Sequence, residues 1–204
     1  SKERLLRGVL EHVQSLGADI FPNTNVSDVQ SHDSGAVVVD DQGERYEGAF
    51  VIAADGINSR IARVMGLNKQ RQFYGTTRDV SALIEGTACP DPDGFLFMIT
   101  PGGIFSMIPV AEKDRYHIYA STFRPDQSPP DMIRYFLHDA PVFSRWYAES
   151  TLIDHRTACV VNLMSPMERP VCGNVVFAGD ACWRREISNV GAMCTGWKAG
   201  QAVV

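Results

Sequence analysis

Two apolar segments of this 204-residue chain end in an adjacent glycine and aspartate. The first, "FVIAA", runs into Asp55-Gly56, and the second, "NVVFA", runs into Gly179-Asp180. Glycine lets another molecule approach the backbone closely, and a carboxylate accepts hydrogen bonds from hydroxyl or N–H groups. Ligands of open α/β sheets lie beyond the carboxyl ends of the strands. Both pairs are therefore candidate ligand contacts.

The chemistry of these residues favours a sugar hydroxyl as the partner of the aspartates, because a carboxylate repels a phosphate group. The chain turns amphipathic again near Gly191, where we expect a helix to begin. The free N–H groups and the positive dipole end of that helix would suit a phosphate or an electron-rich ring edge. An aspartate after a strand can also be a simple helix cap or turn former. Two such ends on either side of a β-rich stretch favour the ligand-binding interpretation.

Helices and strands around the first pair are predicted from periodicity and turn residues. Apolar residues recur at helical spacing over 5–16, and a short strand, "ADIF", follows. The stretch "AVVVDDQGERYEG" predicts a hairpin that turns at residues 41–43. The continuous run "FVIAA" is typical of a parallel strand buried on both faces. Asn58 or Ser59 is expected to cap the next helix, "RIARVM".

The sequence pattern changes between about residues 70 and 161, where strand-like runs dominate. They include "TRDVSALIEG", "GFLFMIT", "IFSMIPV" and "RYHIYAST", and one amphipathic helix, "PPDMIRYFLHDA", lies among them. This pattern predicts an antiparallel sheet inserted between two pieces of an α/β domain. The second glycine-aspartate pair ends the segment "GNVVFAGD", whose apolar run is again typical of a buried strand.

Composition excludes several classes of protein. The net charge is −5 and no block of Lys or Arg is present, which argues against a nucleic-acid partner. Five cysteines without a C-x-x-C pair indicate neither a zinc site nor a disulfide framework, so we expect a reducing compartment. No secretory signal or transmembrane segment is recognisable. We therefore expect a cytoplasmic location, with peripheral association with a membrane left open.

The two pairs lie within longer motifs that resemble those of a known superfamily. "VIAADGINSRIARVMG" resembles the D-G motif of FAD-dependent aromatic hydroxylases and of geranylgeranyl-reductase-like flavoproteins, and "GNVVFAGDACWRREISNVGAMCTGWKAG" resembles their G-D motif. The resemblance implies an α/β fold, in which a partial Rossmann-like FAD-binding domain carries an inserted antiparallel β-sheet substrate domain. FAD-binding parts are expected at 1–69 and 172–204, and the substrate domain at 70–171.

The resemblance also implies roles for individual residues. Asp180 would hold a ribityl hydroxyl, and Gly179 would allow close approach of the cofactor. The amides of residues 191–193 would face the pyrimidine edge of the flavin, and Asp55 and Gly56 would lie near the pyrophosphate. Trp183 is a candidate for stacking on a substrate ring. The full set of implied cofactor-binding residues is Asp55, Gly56, Gly179, Asp180, Ala181, Gly191, Ala192 and Met193.

The chain also departs from the superfamily pattern. It has no G-x-G-x-x-G fingerprint, which the superfamily carries near its N-terminus, so we expect a fragment that lacks the main phosphate loop and holds FAD weakly. Trp183 stands where histidine is common, Asn189 replaces a glycine, and Cys194 stands where asparagine is frequent. These departures leave open a second interpretation, a catalytically silent binding or interaction module.

The resemblance implies an FAD-dependent oxidoreductase that takes electrons from NADH or NADPH. It would act as a monooxygenase or a reductase on a small, largely apolar or aromatic molecule, because the inserted strands are rich in Phe, Met and Ile. No residue stands out as a catalytic acid or base, and no metal site is expected. The oligomeric state is not predicted.

Overall fold

The computed structural model describes residues 2–100, 103–141, 143–182 and 188–204. The α-helices are α1 (Lys2–Ser15), α2 (Arg60–Val64), α3 (Pro129–Arg134), α4 (Ser144–Tyr147) and α5 (Ser188–Ala202). The strands are β1 (Val26–His32), β2 (Gly35–Asp40), β3 (Arg45–Gly48), β4 (Val51–Ala53), β5 (Phe73–Glu85), β6 (Leu96–Thr100), β7 (Gly103–Pro109), β8 (Arg115–Thr122), β9 (Thr151–Met164), β10 (Val171–Cys172) and β11 (Val175–Phe177).

A small mixed sheet joins the two segments that carry the glycine-aspartate pairs. Its order is β10-β11-β4, with β4 parallel to β11 and β10 antiparallel to β11. A second sheet has the order β1-β2-β3, and its last two strands form the predicted hairpin. Asp40 closes that turn, since its Oδ1 accepts the N–H groups of Gln42 and Glu44, each at 2.9 Å.

Two predictions about this region are wrong. Residues 18–21, predicted as a strand, are irregular, because no neighbouring strand of the described chain pairs with them, and Phe21 is 57% exposed. The run "FVIAA" forms a strand only at β4 and is not buried on both faces, since Ile52 is 42% exposed. Its partner on one side is β11, and no described strand lies on the other.

The inserted stretch forms one five-stranded antiparallel sheet with the order β6-β7-β8-β5-β9. Alternate residues of its strands point to one face, where α3 and α4 pack and form the larger apolar core. Phe105 is fully buried there and stacks on Phe136 with a centroid distance of 4.4 Å. Burial also raises the pKa of the Tyr147 phenol, whose hydroxyl donates to Met107 Sδ at 3.3 Å.

The fold is therefore of the predicted α/β class, with an antiparallel sheet inserted between two pieces of a mixed sheet. A separate apolar core lies between β1, β2, β4, β11 and α2. The boundaries at residues 69/70 and 171/172 stay a prediction.

Loss of the central aromatic ring of the larger core should be costly. We expect Phe105→Ala to lower the free energy of unfolding by about 3–5 kcal/mol, since it removes a buried ring and leaves a cavity. Phe97→Ala is the control, because Phe97 lies on the neighbouring strand and is 54% exposed. That change should lower it by about 1 kcal/mol or less. Urea denaturation of both variants measures the difference, and equal losses would contradict this description of the core.

Candidate functional site

The parallel pairing of β4 with β11 brings the two glycine-aspartate pairs together. Val51 pairs with Val175 and Ala53 with Phe177, and the N–H of Ala178 donates to the carbonyl of Ala53 at 3.0 Å. Both strands therefore end at the same edge of the sheet. A cavity of about 460 Å³ opens there. It is lined by Ile52, Ala54, Gly56, Ala178, Gly179, Asp180, Asn189, Ala192 and Gly196.

Gly179 connects the end of β11 to helix α5. Its φ of +61° is in the left-handed region, where a side chain is disfavoured. Its N–H donates to Thr195 Oγ1 at 2.7 Å, and the Thr195 hydroxyl donates to the carbonyl of Gly191 at 2.6 Å. A Cβ on Gly179 would lie 3.6 Å from the Cβ of Ala192. The strand end is thus held against the first turns of α5.

Asp180 presents an exposed carboxylate at the cavity. It lies in the 3-10 turn Gly179–Ala181, directly after β11. Within the described residues, no group donates a hydrogen bond to this carboxylate. It can accept hydrogen bonds from the hydroxyls of a ligand. Ala181 is fully buried in the smaller core, so only its backbone could contact a ligand.

Asp55 supports the helix that follows it, which is one of the two alternatives that its sequence position left open. Its Oδ2 accepts the N–H of Ile61 at 3.0 Å, so one oxygen supports the start of α2. Ser59 is the cap of that helix, and its Oγ accepts the N–H of Ala62 at 2.9 Å. Gly56 has φ +82° and nothing within 4 Å of the position a Cβ would take. The backbone is therefore accessible to a ligand at Gly56, while Asp55 holds the start of α2.

Helix α5 begins at Ser188 and not near Gly191, as the sequence predicted. The unsatisfied N–H groups of a helix belong to its first residues, so they start at Ser188. Gly191 is buried within the helix, and Ala192 lines the cavity. Met193 is 65% exposed. Trp183, the candidate for stacking on a substrate, lies outside the described residues.

Asn58 connects the loop after Asp55 to the five-stranded sheet. Its Nδ2 donates to the carbonyl of Val160 at 3.1 Å, and its Oδ1 accepts the N–H of Asn162 at 3.4 Å. Both partners lie on β9, the edge strand of that sheet. The strand ends and the inserted sheet therefore meet at this loop.

A larger open cavity, of about 1190 Å³, lies elsewhere, and its lining includes Arg71, Met167 and Lys198. None of the residues of the two glycine-aspartate pairs lines it. Burial lowers the pKa of the Arg71 guanidinium, whose Nε donates to the carbonyl of Ser165 at 2.6 Å. Of these two cavities, the smaller one is the candidate site, because Gly56, Gly179 and Asp180 line it together with residues of α5.

Among the residues that the structure describes, no group of three or more His, Cys, Asp or Glu side chains is arranged to hold a metal ion. None of the described helices is both long and apolar enough to cross a membrane.

Comparison with known proteins shows the family of the chain. The family profile described as FAD dependent oxidoreductase matches residues 2–203. The chain belongs to the FAD dependent oxidoreductase family. It is 46% identical over 44 residues to the FAD-dependent monooxygenase nodM of Hypoxylon pulicicidum, a segment covering 22% of this chain and 10% of nodM.

Solved structures with the same fold include two halogenases of low sequence identity. The flavin-dependent halogenase CmlS superposes with a TM-score of 0.74 and 19% identity, over 98% of this chain and 38% of CmlS. The halogenase PltM, in a complex with phloroglucinol and FAD, superposes with a TM-score of 0.71 and 15% identity, over 93% of this chain and 43% of PltM. The chain thus spans less than half the length of these proteins.

Sequence reasoning missed two residues that position the site in this FAD dependent oxidoreductase. Thr195 stands four residues after Gly191, the spacing at which a helical threonine hydroxyl reaches a backbone carbonyl. That spacing signals the bond within the helix but not the bond to Gly179, which depends on the tertiary fold. Asn58 was considered only as a helix cap, and its contact with β9 spans 102 positions of sequence.

The link between Gly179 and α5 can be tested with a nearly isosteric pair of variants. We expect Thr195→Val to lower the free energy of unfolding by about 1–2 kcal/mol, since the Gly179 N–H loses its acceptor. Thr195→Ser keeps the hydroxyl and should lower it by less than about 0.5 kcal/mol. The measurement is denaturant unfolding of both variants. A loss for Thr195→Ser as large as that for Thr195→Val would contradict this description, because the hydroxyl would then contribute no more than the methyl group.

Proposed function

We propose that this chain contributes the FAD-contacting strand ends of an FAD-dependent oxidoreductase of the monooxygenase type. The observation that carries the proposal is the parallel β4–β11 pair, which sets Gly56, Gly179 and Asp180 around one cavity beside the first turns of α5. Family membership supports FAD as the cofactor. The activity of the whole protein is part of the proposal, since the chain spans only part of its relatives.

The residues at the cavity fit the chemical groups of FAD. The Asp180 carboxylate is exposed and suits a ribityl hydroxyl. Gly56 and Gly179 have positive φ and give a ligand access to backbone. Helix α5 directs its positive end toward this region, which favours an anionic or electron-rich group. We assign direct contacts with the cofactor to Gly56, Gly179, Asp180 and the first turns of α5. Asp55 and Ala181 support these residues.

The chemistry would come from the bound flavin, which accepts electrons from NADH or NADPH and delivers them to oxygen or to an unsaturated substrate. This chain's own residues bind and orient the cofactor and exclude water from it. The naming of nodM as an FAD-dependent monooxygenase supports oxygen chemistry. The complex of PltM with phloroglucinol supports a small aromatic substrate. The 70–171 region is proposed as the substrate domain.

Asp180 should contribute directly to FAD affinity in the whole protein. Asp180→Ala removes a charge-assisted hydrogen bond, worth about 1.5–3 kcal/mol, and should weaken FAD binding by roughly ten- to a hundredfold. Asp55→Ala should weaken it less, because one Asp55 oxygen supports α2. Asp33→Ala is the control, since Asp33 is exposed in the turn between β1 and β2.

FAD titration by fluorescence quenching measures these affinities. If Asp180→Ala binds FAD like the control, the strand ends are structural only. If the wild-type protein binds FAD but neither NADH nor NADPH reduces it, the proposed electron donor is wrong.

The charge at the start of α5 should influence the flavin midpoint potential. Asn189 lines the cavity in the first turn of α5. Asn189→Asp adds a negative charge there and should disfavour the reduced, anionic flavin. Like charges repel, so the midpoint potential should be lower than that of the wild-type protein.

Asn189→Gln keeps the residue neutral and serves as the control. Spectroelectrochemical titration with saturating FAD measures both potentials. Identical potentials for the two variants would place the flavin away from this end of α5.

A further inference from the structure

One four-residue turn carries both a residue of the candidate cofactor site and a residue that is bound to the inserted sheet. The N–H of Ser59 donates to the carbonyl of Gly56 at 3.0 Å, which closes residues 56–59 into a turn. Gly56 lines the smaller cavity, and Asn58 hydrogen-bonds to β9. Because one position separates these two residues within a closed turn, a movement of Asn58 also moves the backbone at Gly56.

The turn is attached firmly to the helix that follows it. Asp55 Oδ2 accepts the N–H of Ile61 at 3.0 Å, and Ser59 Oγ accepts the N–H of Ala62 at 2.9 Å. Ser59 is only 3% exposed, and Ile61 and Ala62 belong to the smaller core. Ser59 is the cap of α2, so the fold of that helix does not require the Asn58 amide.

The Asn58 amide binds β9 as a peptide group of a neighbouring strand would. Its Nδ2 donates to the carbonyl of Val160 at 3.1 Å, and its Oδ1 accepts the N–H of Asn162 at 3.4 Å. In a strand, the carbonyl of one residue and the N–H of the second residue along point to the same side. The other side of β9 pairs with β5, since β9 is the edge strand of the inserted sheet. One side chain therefore fills two ladder positions on that edge.

The segment of β9 that Asn58 contacts is itself fixed within the sheet. Asn162 pairs with Thr76 of β5, and its Oδ1 accepts the Thr76 hydroxyl at 3.0 Å. Val160 pairs with Arg78 on the same strand. The Asn58 amide thus joins two ordered units, the turn on α2 and the edge of the sheet.

A contact of this kind links ligand binding at Gly56 to the edge of the sheet. A ligand that holds the turn in place also holds the Asn58 amide against β9. Such a linkage is reciprocal, so loss of the β9 contact weakens the ligand by the same free energy that the ligand adds to the contact.

We propose that Asn58 is a positioning residue that couples FAD binding at Gly56 to the edge strand of the inserted sheet. Its amide faces β9, so it acts on the cofactor through the turn at 56–59 and not by contact. The coupling fixes the cofactor loop relative to the proposed substrate domain. The proposal deepens the proposed function and rests on it for the identity of the ligand at Gly56.

The first test is an FAD titration of the whole protein by fluorescence quenching. Asn58→Ala should weaken FAD binding by about three- to tenfold, because the hydrogen bonds that hold the turn against β9 are lost.

Asn174→Ala is the matched control. The Asn174 Nδ2 donates to the carbonyls of His32 at 2.8 Å and Gly35 at 3.1 Å, so this amide also joins segments that are distant in sequence. It precedes β11 and therefore lies at the end of that strand away from the cavity. Urea denaturation should show a similar loss of unfolding free energy in both variants, whereas FAD affinity should be unchanged in Asn174→Ala.

The second test measures hydrogen–deuterium exchange at the Asn162 amide, which donates to Asn58 Oδ1. FAD should slow this exchange in the wild-type protein and in Asn174→Ala. It should have no effect on the exchange in Asn58→Ala, because the turn no longer contacts β9.

Three results would each overturn the proposal. They are wild-type FAD affinity in Asn58→Ala, an equal loss of affinity in Asn58→Ala and Asn174→Ala, and no effect of FAD on the Asn162 amide of the wild-type protein. Asp180→Ala is titrated in the same series. Weakened binding by Asp180→Ala with normal binding by Asn58→Ala would overturn the coupling alone. Normal binding by Asp180→Ala with weakened binding by Asn58→Ala would contradict the proposed role of Asp180 and support the coupling.

Discussion

The parallel pairing of β4 with β11 is the constraint on which the site depends. Only three residues pair on each strand, yet their register places two loops far apart in sequence at one edge of the sheet. Each strand ends one alanine before its glycine-aspartate pair, so the backbone leaves the sheet where a ligand would approach it. A one-residue slip would turn the Val175 and Phe177 side chains out of the smaller core.

Two polar side chains connect the strand ends to the rest of the molecule. The Thr195 hydroxyl holds Gly179 against α5, and the Asn58 amide holds the other loop against β9. The strand ends therefore contact a helix on one side and the inserted sheet on the other. Each link is one or two hydrogen bonds, modest in energy but specific in direction.

The sequence predicted what depends on local pattern. Strands β5 to β8, the hairpin at Gly43 and the cap at Ser59 follow from alternation, turn residues and capping chemistry. The strand predicted at 18–21 and the two-sided burial of β4 failed because both require neighbouring strands that local pattern does not specify. The start of α5 was placed at Gly191, three residues late, because glycine was taken as the helix opener. The contacts of Thr195 and Asn58 were missed because they are tertiary.

Hydrogen–deuterium exchange with and without FAD tests the central claim most directly, because it reports on individual backbone amides of the whole protein. The account predicts slower exchange on FAD addition at residues 54–57, at 179–182 and in the first turn of α5. Amides of β6 to β8 should exchange at unchanged rates. Protection elsewhere, with none at these strand ends, would contradict the assignment of the cavity between β4, β11 and α5 as the cofactor site.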